Sequence, residues 1–169
     1  VTFAADTFDN TVTVTGGALT TDAITTALSG ATTFTPTTSG VEIITVTATG
    51  ANTTVLDTSA TTGLTTINVT NSVAATFRAD KLAGTEAIVV KGAANAASIV
   101  EGKLASASGA TDSLTFHTNS TTTTDGWGIK TDDIETVTIK AVLTDTVDLS
   151  GLAMTTAGKV MTLNATGAT

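Results

Sequence analysis

The sequence predicts an all-β chain wound as a parallel β-solenoid, and three observations carry that prediction. About a quarter of the 169 residues are Thr, with Ala, Gly and Val next. Side chains branched at Cβ are stiff at χ1 and fit a pleated surface, so this composition favours strands. Second, the pattern polar-x-apolar-x-apolar recurs with its first residue at 42, 65, 86, 112, 135 and 159, spacings of 23, 21, 26, 23 and 24. Third, an acidic residue follows at a near-constant offset of 15, 15, 15, 13 and 13, at Asp57, Asp80, Glu101, Asp125 and Asp148. Two coupled periods of this length read as stacked coils that each need a neighbour to bury their apolar side.

Taken in order, Asn10-Thr11-Val12-Thr13-Val14 matches the same pattern and opens the stack, which gives about seven coils. The 32 residues between Asn10 and Glu42 leave room for an insertion. Residues 21–30 are read as a short helix there: Asp22 is a plausible N-cap, Gly30 a plausible C′ residue, and Ile24, Ala27 and Leu28 share one helical face. The unit Gly40–Ser59 then shows the coil most clearly, as two strands, Ile43–Ala48 and Thr53–Asp57, joined by Gly50-Ala51-Asn52. Inward rows are expected to be Ile44, Ile67, Ile88, Leu114, Val137 and Met161, beside Val46, Val69, Val90, Phe116, Ile139 and Leu163. Neither end carries an evident cap. The Ala-rich stretch 93–107 could instead form a short helix, which would take Glu101 out of the acidic column. The alternative architecture is an antiparallel β-sandwich of about seven strands, which does not require acids at a fixed offset.

The chain has 7 Lys and Arg against 15 Asp and Glu, a net charge of −8. That balance argues against nucleic acid and against anionic membranes, both of which need clustered basic side chains. No apolar run approaches the roughly 20 residues that cross a bilayer. Cys is absent, so disulfides do not stabilise the fold. Residues 1–169 read as a single solenoid segment of a longer secreted protein.

Catalysis finds little support. His117 is the only His, the chain lacks Cys, and neither a Gly-x-Ser-x-Gly elbow nor a His-x-x-x-His pair occurs. The expected reading is not an enzyme. The acidic column is the sharper feature, because carboxylates stacked at inter-strand spacing repel. Raised pKa values, neighbouring cations such as Arg78, Lys81 and Lys103, or a bound metal would each relieve the repulsion. Ca2+ takes six to eight oxygen ligands and suits carboxylates, carbonyls and hydroxyls, which makes Asp57, Asp80, Glu101, Asp125 and Asp148 its candidate ligands. The other reading of these acids is structural: Asp recurs at turns because it hydrogen-bonds its own backbone two residues on.

Gly40-Val41-Glu42-Ile43-Ile44-Thr45-Val46, Asp133-Ile134-Glu135-Thr136-Val137-Thr138-Ile139 and Val147-Asp148-Leu149-Ser150-Gly151-Leu152 resemble repeats of type-I-secreted bacterial surface-layer proteins, within the repeats-in-toxin group of exoproteins. The likeness extends from about Thr38 onwards. It implies an extracellular, Ca2+-binding β-solenoid that associates with itself into a cell-surface lattice, and contact with cell-surface polysaccharide through other parts of the chain. The Gly-Gly-x-Gly-x-Asp nonapeptide of that group is absent, so its calcium ligands do not transfer. The function expected is structural, part of a surface layer or fibrous coat. Alternatives are a spacer module of a secreted adhesin or biofilm fibre, and an ice-binding array formed by Thr45, Thr66, Thr115, Thr138 and Thr162 as an outward column.

Overall fold

A computed structural model describes residues 1–71, 76–91, 98–107, 111–119, 127–141, 147–157 and 160–167. The side chains of Asn71, Asn119, Trp127, Ala141 and Gly167 lie outside the description. The first strands are β1 (Thr13–Thr15), β2 (Ala23–Leu28), β3 (Thr33–Phe34), β4 (Thr37–Ser39), β5 (Ile43–Ala48), β6 (Thr54–Asp57) and β7 (Thr61–Thr62). There follow β8 (Thr66–Asn71), β9 (Thr76–Leu82), β10 (Ala87–Lys91), β11 (Ile99–Leu104) and β12 (Ser113–Asn119). The last are β13 (Trp127–Asp132), β14 (Thr136–Ala141), β15 (Val147–Ala153) and β16 (Thr162–Gly167).

Every described strand pairing is parallel, which excludes the antiparallel sandwich. A seven-stranded sheet runs in the order β16-β14-β12-β10-β8-β5-β2, and a six-stranded sheet β15-β13-β11-β9-β6-β3 runs alongside it. A short third sheet, β1-β4-β7, accompanies only the first turns. The chain is a β-solenoid of about five turns with no helix among the described residues, rather than seven coils with a helical insertion.

Both differences have physical causes. Residues 13–15, expected in the first coil of the main column, pair through Thr13 and Thr37 in the third sheet instead. The stretch expected as a helix is β2, whose Ile24 and Thr26 lie opposite Ile44 and Val46 of β5. Ile24, Thr26 and Leu28 alternate inward and are buried. The same residues satisfy a helical and a strand period, and pairing with the next coil decides between them. Asp22 is therefore no helix cap; its carbonyl accepts the N–H groups of Glu42 and Ile43.

The inward rows also differ in register. Ile44, Ile67 and Ile88 lead to Phe116, Ile139 and Ala165, while Leu114 and Val137 lead to Leu163. Relative to the expected alignment, β12 and β16 are each displaced by two residues. A two-residue slip keeps every side chain on its own face, whereas a slip of one would turn the apolar set outward. The alternation in the sequence therefore cannot distinguish these registers.

One end of the core is covered. Residues 1–6 run beside β2, with Phe3 N–H to Thr25 O at 2.8 Å and Asp6 N–H to Ala27 O at 2.9 Å. The Phe3 ring packs 5.1 Å from that of Phe8, which is fully buried. That corrects the expectation of two uncapped ends. At the other end Leu163 is 43% exposed, on the inner side of β16.

In the seven-stranded sheet two inward threonines interrupt the apolar rows. Thr118 is 0% and Thr26 2% exposed, and neither hydroxyl has a hydrogen-bond partner among the described residues. A buried, unsatisfied hydroxyl costs about 1–3 kcal/mol, and Val matches Thr in shape. Thr118→Val is thus expected to raise the thermal midpoint by about 2–4 °C in a chain of this size. Melting followed by far-ultraviolet circular dichroism checks it; an unchanged or lower midpoint would show that the hydroxyl is satisfied.

Candidate functional site

The acidic column lies on the six-stranded sheet, where β6, β9, β11 and β15 each carry one of the expected residues. Asp57 and Asp80 are direct neighbours in register. Beyond them the column breaks. Glu101 pairs with Arg78 and with Lys130, and the register shifts between Gly102 and Leu104. Asp148 lies opposite Gly128. Asp125 falls outside the described residues.

Cations and backbone amides supply most of what a metal would have supplied. The Arg78 guanidinium contacts Asp80 Oδ2 at 3.0 and 3.1 Å. Glu101, whose side chain is only 5% exposed, has Lys130 Nζ at 3.2 Å and Lys103 Nζ at 3.5 Å on Oε1. Asp57 Oδ1 accepts the N–H of Ser59, and Asp148 Oδ1 that of Ser150, both at 2.8 Å. These are turns in which the carboxylate binds the backbone two residues on. The bonds from Ser150 hold the Asp148 carboxyl below the usual carboxylate value. Among the described residues, no three His, Cys, Asp or Glu side chains converge on one point. Of the five acids expected to ligate Ca2+, the four described ones, Asp57, Asp80, Glu101 and Asp148, are therefore not aligned in one continuous column.

A second set of acids, at the corner leading into the seven-stranded sheet, is read from the sequence only as leading polar residues of the repeat, without a role. Glu42 Oε2 accepts the N–H of Asp22 at 2.8 Å, and Glu135 Oε2 accepts that of Asp112 at 3.0 Å. In both cases a carboxylate of one coil binds the leading amide of the coil before it. Glu86 turns back on its own corner and accepts the amides of Ala83, Gly84 and Thr85 at 3.0–3.2 Å. The readable signal is the residue two positions earlier. Gly40, Gly63, Gly84 and Asp133 all have positive φ, between 57 and 89°. Only Gly adopts that backbone freely, and Asp is among the few residues that tolerate it. Asp133 also accepts both N–H and O–H from Thr155 and Thr156 at 2.7–2.8 Å, which holds its carboxyl well below the usual range.

His117 stands on the outer side of β12 beside Lys140. Partial burial, and then the neighbouring ammonium, hold its imidazole below the ordinary histidine value. The expected outward threonine column does not form: Thr45 pairs with Asn68, Thr66 with Ala87, and Thr162 with Thr136, so only Thr115 and Thr138 are neighbours. That register takes three of the five threonines, Thr45, Thr66 and Thr162, out of the expected column.

Fold and site together define a β-solenoid whose coils are joined by carboxylate–amide and carboxylate–cation contacts at the corners and on one face. No family model, curated protein or solved structure matches the chain.

Proposed function

We propose that the chain is a structural element of an extracellular assembly, part of a bacterial surface layer or fibrous coat, and does no catalysis. The observation that carries this reading is the uninterrupted stack of parallel coils, a rod whose corners and faces repeat at inter-strand spacing. Such a rod presents side chains at fixed intervals, which is what a regular lattice requires of its subunits. The resemblance of Gly40–Val46, Asp133–Ile139 and Val147–Leu152 to surface-layer repeats supports the same reading. Calcium's proposed place is between rods, bridging carboxylates that face one another across a contact, because Asp80 and Glu101 already hold cations within the chain.

The test is assembly. Millimolar Ca2+ is expected to convert the soluble chain into sheets or fibres, seen by sedimentation and electron microscopy, and EGTA to dissolve them. Asp57→Asn and Asp148→Asn should raise the Ca2+ concentration required. A chain that stays monomeric with and without Ca2+ would remove the lattice reading and leave the spacer module in its place.

A further inference from the structure

The two end strands of the large sheet, β2 and β16, carry complementary edges. Along the sheet, the N–H of an outward residue donates to a carbonyl on the inward parity of the preceding coil. Thr49 donates to Leu28, Thr66 to Glu42, Ala87 to Thr65, Thr136 to Asp112 and Thr162 to Glu135, at 2.6–3.0 Å. On β16 the carbonyls left over belong to the inward residues Leu163 and Ala165, and among the described residues no strand pairs with them. Leu163 is 43% exposed at that end, and Met161, Leu149 and Leu152 are only partly buried. On β2 the groups facing away from β5 belong to the outward residues Thr25 and Ala27. The edge of β16 in one copy thus matches the edge of β2 in another by the relation that joins each coil to the next.

Residues 1–7 already occupy the β2 edge. Val1 O accepts the Thr25 N–H at 2.8 Å, as a carbonyl of a preceding coil would. The N–H groups of Val1, Phe3 and Asp6 donate to the carbonyls of Ala23, Thr25 and Ala27 at 2.7–2.9 Å. The Asp6 carboxylate accepts the N–H of Ser29 at 2.6 Å and also its hydroxyl. Yet the segment is not a strand: its bridge to β2 is the isolated pair Thr2 and Thr25. It then turns at Ala4–Thr7, where the N–H and hydroxyl of Thr7 both donate to Ala4 O and Asp6 takes a φ of 57°. A left-handed residue breaks an extended run, so the segment satisfies β2 without presenting a straight edge of its own.

We propose that residues 1–7 are a stop segment that keeps the β2 edge from pairing with β16 of a second copy. Lifting it lets copies join end to end in one continuous sheet. The end strands of the six-stranded sheet, β15 and β3, meet in the same step. A head-to-tail contact of this kind does not close on itself, and its product is an open filament of unchanged width. The inference goes beyond the lattice reading: Ca2+ there bridges neighbouring rods, whereas this contact runs along the rod and needs no metal.

Sedimentation velocity and electron microscopy in EGTA test it. The parent chain is expected to stay monomeric. Phe3→Ser with Asp6→Gly removes the ring contact with Phe8 and the bonds to Ser29, and glycine keeps the left-handed turn without strain. This variant should form filaments one rod wide, with end-to-end association at least tenfold stronger than the parent's. Asp6→Gly alone, on an exposed turn, should shift association in the same direction and serves if the double variant does not fold. Adding Leu163→Lys, a charge on the inward side of β16, should return either variant to monomer, while Thr138→Lys, on the outer face, should not. Circular dichroism establishes which variants are folded. Filaments from the parent, folded variants that remain monomeric, or growth that persists with Leu163→Lys would each overturn the stop. All arms are free of Ca2+, so each of those results leaves the lattice reading standing on its own test.

Discussion

Phe116→Ala is expected to destabilise the chain by about 3–5 kcal/mol and to divide its unfolding into two steps. Phe116 is fully buried, flanked by Ile88 and Ile139 in neighbouring coils of the inward row. Its ring reaches across to the facing sheet at Gly102: a Cβ added there would sit 3.2 Å from Phe116 Cζ, 3.1 Å from Leu114 Cδ1 and 3.0 Å from Ile88 Cδ1. Glycine at 102 therefore leaves the space that the ring occupies. In a stack where each coil touches only its neighbours, a cavity in the middle weakens two interfaces and leaves the outer coils nearly intact. Urea unfolding by circular dichroism, with hydrogen exchange to locate the first step, measures this. Gly102→Ala alone should also destabilise, by crowding, yet it should cost less in the Phe116→Ala chain, where the methyl group enters the vacated space. Loss of under about 1 kcal/mol for Phe116→Ala, or strict additivity of the two changes, would mean that the ring does not bridge the sheets.

These rows show why the fold was more legible in the sequence than the site. Alternation of polar and apolar residues states which side chains point inward, and Ile44, Ile67, Val90, Phe116 and Val137 do so. It states nothing about whether Ile88 lies beside Leu114 or Phe116, because both are even steps along a strand of period two. Outward columns inherit the same ambiguity. That is why Asp57 and Asp80 were placed together correctly, while the threonine column was not, and why Glu101 was put in a column from which a register shift removes it. The helix expected over 21–30 failed for a related reason: Ile24 and Leu28 fit either period, and only the presence of β5 beside them settles the matter. The corner acids are visible in the sequence as first residues of the repeat, but their contacts are not, because the decisive property, a left-handed backbone at Gly40, Gly63, Gly84 and Asp133, belongs to the residue two positions earlier. Gly at that offset, read as a steric requirement, marks Glu42 and Glu86 two residues on, whereas Asp133 before Glu135 carries no such signal.

Removing both lysines around Glu101 should test what that carboxylate is for. The Glu101 side chain is 5% exposed and, among the described residues, forms ion pairs with Lys103 and Lys130, which are 44 and 51% exposed, at 3.5 and 3.2 Å. Stripping the partners from a fully buried charge costs about 3–5 kcal/mol. Because both lysines are half in water, their attraction is screened, and the double variant Lys103→Ala, Lys130→Ala is expected to lose about 1–3 kcal/mol. Adding Glu101→Met should recover stability to within about 1 kcal/mol of the parent, since an apolar side chain at that position needs no counter-charge. Failure of this third substitution to restore the midpoint would mean that the lysines act through the packing of their aliphatic stems rather than through Glu101. The same double variant separates the two readings of the acid. With its cations gone, a carboxylate that serves as a calcium ligand should be rescued by millimolar Ca2+, while one that exists to be neutralised by lysine should not. The geometry favours the second outcome, because the nearest groups in register are Arg78 and Lys130 rather than further oxygen donors; rescue by Ca2+ would return Glu101 to the metal-binding set.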